Sequence, residues 1–368
     1  MELALIIFPC LALLCAPALW LVFSKPHTVP PSPKKTTEHC NISIIIPARN
    51  EELNIRNLLT SINAQQIKPL EIIVVNDGST DQTAQIAREL GATVIDAAPL
   101  PDDWKGKPWA CHQGAQTAKG EWFLFLDADT QLEAGALKNL LNLTDTQHKV
   151  YSICPYHRIQ RPYEELSSFF NVMMLTGSSA FGRKDNHASA LFGQCMLISR
   201  THYEQAGGHT TVKNQILENF HLANQLDQLG IQRQCYIGKG TVSMRMFPGG
   251  FKELWASWQK GFSGGAAHTA PSALLWSSIW ISSLMFVLVS LGLLATPYTS
   301  QTYLTLTSTA YIFSSIQCFC AFRHAGSFSI LNALFFPITL LFYQVLFFTS
   351  ILNRKLGKQT QWKGRAVS

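Results

Sequence analysis

The sequence predicts an α/β protein in which a domain built on a mostly parallel sheet is carried between transmembrane helices. Three observations lead there. Short β-branched runs alternate with amphipathic segments from residue 41 onward, residues 3–23 form one apolar run, and further apolar stretches follow residue 270.

Strands that alternate with helices imply βαβ units and parallel pairing. A strand covered on both faces of such a sheet reads as a nearly continuous apolar run, as residues 42–46 and 72–75 do. The expected strands are 42–46, 71–75, 92–95 and 121–126, with helices near 52–64, 82–90 and 110–119, so residues 41–250 form the central domain.

Residues 3–23 match the roughly 20 residues a helix needs to cross a bilayer, which makes residues 1–24 an N-terminal anchor. A cleaved signal peptide carries positive charge before its apolar stretch. Here only Glu2 precedes it while Lys25, Lys34 and Lys35 follow, which outweighs the small-residue stretch Ala16-Pro17-Ala18 as a cleavage signal. Positive charge stays on the cytoplasmic side, so the chain is expected in the cell membrane with its domain in the cytoplasm. Residues 25–40 are Pro-rich and read as a stiff spacer.

The later apolar stretches are 273–295, 302–322 and 328–352, within a C-terminal membrane region of residues 271–353. The middle one is diluted by Thr, Ser and Gln317. Residues 354–368 form a tail with Arg354, Lys355, Lys358, Lys363 and Arg365. Keeping that tail on the domain's side favours two full C-terminal spans over three. Between domain and membrane region, residues 251–270 place Leu254, Trp255, Trp258 and Phe262 at helical spacing, as an interfacial helix does.

The net charge of +6 is spread along the chain. No basic stripe forms to track phosphates, so nucleic acid is not an expected partner. The nine cysteines include no Cys-x-x-Cys pair, which fits a reduced setting. Asn41-Ile42-Ser43 and Asn142-Leu143-Thr144 match the N-glycosylation pattern but are inert in the cytoplasm.

In an open parallel sheet the ligand lies beyond the carboxyl ends of the strands. Three such places are polar: 47–52, 76–81 and 127–129. Asp127 and Asp129 stand two apart after an apolar strand, so an extended backbone turns both to one face. A hard divalent cation relieves their repulsion, and Mg²⁺ prefers one or two carboxylates plus substrate phosphates. Taken alone the pair also fits a turn or helix cap. Asp77 can accept hydrogen bonds from ribose or base, or serve an Asx turn in which Gly78 takes positive φ. Lys107 lies in a Trp-flanked loop before a helix start, which suits a diphosphate. Exposed lysines more often only solubilise.

The stretches 44–52, 73–81 and 126–129, in that order and spacing, resemble the inverting family 2 glycosyltransferases, and the flanking membrane segments are similar to their carotenoid-modifying branch. The resemblance covers residues 40–265 and implies a GT-A (Rossmann-like) fold, a UDP-sugar donor and Mg²⁺ or Mn²⁺. It places Pro47, Asn50, Glu51 and Asp77 at the uridine, Lys107 near the diphosphate, and Asp127 and Asp129 on the metal, with Asp129 among the catalytic groups. Such enzymes take their general base from a Glu-Asp pair on a later helix; here the pair is Glu218-Asn219. An amide accepts no proton. Either Glu218 supplies the base, with His221 one turn away to orient it, or the acceptor arrives ionised as a carboxylate.

Trp258 and Gln259 occupy the place of the Gln-x-x-Arg-Trp motif of polymer-making relatives and are expected on the acceptor side. The Arg-Trp pair is absent, which favours transfer of one sugar. The function implied is sugar transfer, with glucose the expected sugar, from UDP-sugar to a lipophilic acceptor in the membrane, such as the carboxylate of a carotenoic acid. Two alternatives remain: a glycolipid or polyprenyl phosphate glycosyltransferase using a hydroxyl or phosphate acceptor, and an inactive nucleotide-sugar-binding membrane protein. A nucleotidyltransferase lacks its glycine-rich loop here.

Overall fold

The computed structural model describes residues 2–33, 39–144, 149–183, 191–215, 218–297, 299–355, 360–362 and 365–367. Lys34, Lys35, Ile216, Leu217, Lys358 and Lys363 lie outside the described residues. The chain divides into two compact units. One is Pro26–His157 with Asn186–Met246, and the other is Met1–Lys25, Arg158–Asp185 and Phe247–Ser368.

The first unit is built on a seven-stranded sheet in the order β3-β2-β1-β4-β8-β6-β9. Its strands are β1 (His39–Ala48), β2 (Lys68–Asn76), β3 (Thr93–Asp96), β4 (Trp122–Leu126), β6 (Val150–Cys154), β8 (Cys195–Ser199) and β9 (Arg233–Ile237). β1 runs parallel to β2 and β4, β2 to β3, and β6 to β9, whereas β8 is antiparallel to β4 and β6. Ile42, Ile44, Ile46, Val74 and Leu124 are fully buried, as the continuous apolar runs require. A small second sheet orders β5 (Thr130–Leu132), β10 (Val242–Met244) and β7 (Tyr156–His157).

Helices α3 (Glu52–Asn63), α4 (Thr83–Glu89), α5 (Gly106–Thr117), α6 (Ala136–Thr144), α8 (Arg200–Gln205) and α9 (Glu218–Gln228) complete this unit. α5 begins one turn before the expected start at residue 110, so Lys107 belongs to its first turn and not to a loop. Gly106 and Pro108 read as breakers, but a first turn leaves its N–H groups unpaired anyway, and Pro is tolerated there.

Residues 26–33 are no spacer. Thr28 bridges Ile237, the Ile237 amide donates to His27 O at 2.7 Å, Ser32 N donates to Asn139 Oδ1 at 3.0 Å, and Val29 is buried in the core. The prolines supply extended backbone, and one apolar side chain fastens it.

The second unit gathers α1 (Glu2–Cys15), α2 (Ala18–Val22), α7 (Ser168–Gly177), α10 (Phe251–His268), α11 (Pro271–Leu293), α12 (Gln301–Ala325), α13 (Ile330–Leu334) and α14 (Phe336–Lys355). Among the described residues, Leu5–Val22, Pro271–Leu293 and Phe336–Asn353 are long and apolar enough to cross a membrane. Residues 158–185 belong to this unit, which differs from an unbroken domain over 41–250. Aromatic and polar contacts both join the segment there, with Phe169 edge-on to Phe322 at 5.2 Å and Phe170 stacked on Trp258 at 4.7 Å between centroids. Glu165 carboxylate oxygens accept from Ser329 N at 3.1 Å and from Asn332 Nδ2 at 2.6 Å, holding the break between α12 and α13.

Helix α5 lies tightly on the sheet at one glycine. A Cβ at Gly114 would stand 2.5 Å from Ile45 Cγ2 and 3.1 Å from Val75 Cγ2. Gly114→Ala therefore incurs an overpacking cost of about 1–3 kcal/mol, which exceeds the gain of about 1 kcal/mol that alanine has over glycine in a helix. We expect the thermal midpoint of the detergent-solubilised full chain to fall by several degrees in this variant; an unchanged or raised midpoint would contradict the packing argument.

Candidate active site

The loops after β1 and β2 are stitched to each other. The Asp77 amide donates to Ala48 O at 2.9 Å, and Arg49 Nη1 donates to Asp77 O at 2.7 Å while standing 3.8 Å from Asp77 Oδ2. Asn50 takes a positive φ of 52°. Its amide donates to Ser79 Oγ at 3.0 Å and its Oδ1 accepts from Thr80 N at 2.8 Å, so the side chain latches the two loops together. The Glu51 amide donates to Thr83 Oγ1 at 2.8 Å, and Glu51 Oε2 accepts from Asn54 Nδ2 at 2.8 Å. Pro47, Asn50, Glu51 and Asp77 thus share one edge at the carboxyl ends of adjacent strands.

Asp127 and Asp129 follow β4, but in a turn and not on the extended backbone the spacing suggested. Thr130 N closes that turn on Asp127 O at 3.0 Å, and β5 starts at Thr130. The two carboxylates nevertheless remain close enough to repel. Burial raises the Asp129 pKa to about 7, and Asp127 and then Glu51 add to the shift, against Lys107. Among the described residues Asp129 Oδ1 is buried with no hydrogen-bond partner. A buried oxygen of this kind is costly unless something satisfies it.

Lys107 reaches into this cluster from the first turn of α5. Its Nζ lies 2.7 Å from Asp127 Oδ1 and 3.8 Å from Glu218 Oε1. Burial opposes the ammonium charge, but Asp127 and then Glu218 outweigh it and raise the Lys107 pKa. Glu218, the first residue of α9, is itself buried; burial raises its pKa and Lys107 works the other way. Asn219 Nδ2 donates to Glu218 Oε1 at 3.4 Å. His221 is half-buried one turn along.

Trp258 and Gln259 fall in the other unit. The Trp258 ring stacks on Phe170 at 4.7 Å between centroids, its Nε1 donates to Ser167 Oγ at 3.2 Å, and Gln259 O accepts from Ser350 Oγ at 3.1 Å.

The sequence reading missed the segment that floors the site. Gln194 O accepts from Asp127 N at 2.9 Å, Gly193 O accepts from Lys107 Nζ at 3.5 Å, and the Asn219 amide lies against Gly193. Its one signal was a Gly-Gln pair immediately before the apolar run 195–198. Also unforeseen was His209, whose Nδ1 lies 2.8 Å from Tyr203 Oη; burial, with lesser contributions from Lys107 and His112, pushes its pKa down to about 3.

A divalent cation fits Asp127 and Asp129 by two observations, the unpaired Asp129 Oδ1 and the mutual repulsion that a cation relieves. Among the described residues no group of three or more His, Cys, Asp or Glu is arranged to hold a metal.

The Glycosyl transferase family 2 model matches residues 43–207. Proteins of Staphylococcus aureus strains USA300 and NCTC 8325 described as 4,4'-diaponeurosporenoate glycosyltransferase are 34% identical over 357 residues, covering 95% of this chain and 93% of theirs. Among solved structures, the mannosyltransferase PcManGT from Pyrobaculum calidifontis, in complex with GDP-Man and Mn²⁺, superposes with a TM-score of 0.50 at 16% identity, over 93% of this chain and 99% of its own. The last shows the GT-A fold alone. With a relative of that identity along nearly its whole length, and a matched region holding the strand ends that present Asp77, Asp127 and Asp129 and the helix start that presents Lys107, the chain belongs to glycosyl transferase family 2.

Proposed function

We propose that the chain moves glucose from UDP-glucose, with inversion, to the carboxylate of a carotenoic acid dissolved in a cell membrane, forming a glycosyl ester. The observation that carries this reading is Lys107, held between Asp127 and Glu218 beside an unpaired Asp129 oxygen at the carboxyl ends of parallel strands. The name of the relatives, diaponeurosporenoate glycosyltransferase, supports the acceptor class. The three apolar helices support a multi-pass protein, and the lysines that follow the first of them support a cytoplasmic domain.

In this reading Glu51 and Asp77, with Pro47 and the Asn50 latch, receive the uridine, and Lys107 faces the diphosphate. Asp127 and Asp129 would hold Mg²⁺ or Mn²⁺, which neutralises charge developing on the leaving diphosphate. Lys107 supplies the same service from the protein, since its flanking carboxylates keep it protonated. A carboxylate acceptor attacks the anomeric carbon from the face opposite the diphosphate and has no proton to lose. Glu218 then acts as the counter-charge that places Lys107. A second reading, a hydroxyl acceptor in a glycolipid or polyprenyl product, draws on burial of Glu218, which strengthens it as a base.

Membranes containing the chain, given radiolabelled UDP-glucose and carotenoic acid, should yield a labelled lipid that mild alkali cleaves, as an ester requires. Label that survives alkali would identify a glycoside and the second reading. Lys107→Met and Asp129→Asn should each lower kcat by about 10²–10³, the scale of losing one charge-stabilising group; activity within a factor of three of the unsubstituted chain would remove both from the machinery. Glu218→Gln should keep turnover of the acid within about tenfold, whereas loss on the 10²–10⁴ scale of an obligatory base, with folding intact, would rule out the base-free route.

A further inference from the structure

We propose that Asn219, seated on Gly193, is the residue that selects a carboxylate over a hydroxyl as the acceptor group. The inference rests on the sugar-transfer reading above and adds the determinant of its acceptor class.

The seat is built by an absent side chain. A Cβ at Gly193 would stand 2.1 Å from Asn219 Nδ2, 2.5 Å from its Oδ1 and 2.6 Å from its Cγ, so any other residue at 193 displaces the amide. The neighbouring atoms of the same segment hold the charged groups, since Gly193 O accepts from Lys107 Nζ and Gln194 O accepts from Asp127 N. One short stretch of backbone therefore fixes Asn219 relative to both.

The chemistry of the amide suits an anion. Its nitrogen carries two N–H groups, and Glu218 Oε1 takes one at 3.4 Å. The other can be offered to an acceptor oxygen. Asp127 and Glu218 already flank Lys107 Nζ at 2.7 and 3.8 Å, so a neutral donor at 219 admits a carboxylate where a further carboxylate would repel it. In the step itself an acceptor oxygen forms its bond to the anomeric carbon as the bond from that carbon to the diphosphate oxygen breaks, and the electron pair leaves with UDP. No proton moves. With an alcohol the hydroxyl proton must pass to a base, and an amide cannot take it.

Asn219→Asp preserves shape and reverses both properties. The test gives the detergent-solubilised full chain UDP-glucose with all-trans-retinoic acid or with retinol as matched polyene probes. Relative to the unsubstituted chain, the ratio of acid to alcohol turnover in Asn219→Asp should fall at least a hundredfold, with retinol glucoside appearing and the KM for UDP-glucose changing less than threefold. Gly193→Ala, which dislodges the amide without adding charge, should raise the KM for retinoic acid at least tenfold more than that for UDP-glucose. If the unsubstituted chain prefers the acid and Asn219→Asp keeps its ratio, the selector is overturned while the carboxylate acceptor stands. If the unsubstituted chain prefers retinol, both fall together.

Discussion

The Lys107 ammonium is the charge on which the arrangement at the carboxyl ends of the strands depends. Asp127, Asp129, Glu51 and Glu218 arrive from separate loops and a helix, and burial with mutual repulsion resists their ionisation together. A lysine 2.7 Å from Asp127 and 3.8 Å from Glu218 offsets part of that cost. It also ties β4 to the start of α9 through one atom. Because α5 is held on β1 and β2 at Gly114, the Lys107 Cα cannot drift, and sheet packing is converted into placement of a charge. Among the described residues none satisfies Asp129 Oδ1, an oxygen that a cation would satisfy.

Much of this was legible in the sequence because parallel sheets write their cores as uninterrupted apolar runs. Residues 42–46 and 72–75 could hardly be anything but buried strands, and the rule that ligands gather beyond strand ends then pointed to Asp77 and Asp127 without any need for coordinates. What was not legible shares one cause: it depends on contacts between residues far apart in the chain. Gly193 says nothing until Asn219 is laid on it. Residues 26–33 have the composition of a linker, and only the pairing of Thr28 with Ile237 and the burial of Val29 make them part of the domain. The start of α5 lies earlier than expected, with Gly106 and Pro108, breakers inside a helix, harmless in its first turn.

The same distinction explains α12, whose composition reads as too polar for a membrane helix. Around its middle the polar residues are the buried ones: Ser314, Ser315 and Gln317 face inward, whereas Ile312 and Ile316 are exposed. Gln317 accepts from Trp280 Nε1 at 2.9 Å and donates to Ala16 O at 2.8 Å, where the N-terminal apolar run breaks at Pro17. A broken helix in an apolar medium must find partners for the backbone groups it frees. Mean hydropathy averages over both faces and over a first half in which Thr305, Ser308 and Thr309 are exposed, so it does not report this inward polarity of the middle turns. There a helix that supplies hydrogen bonds to its neighbours keeps its polar groups turned toward them.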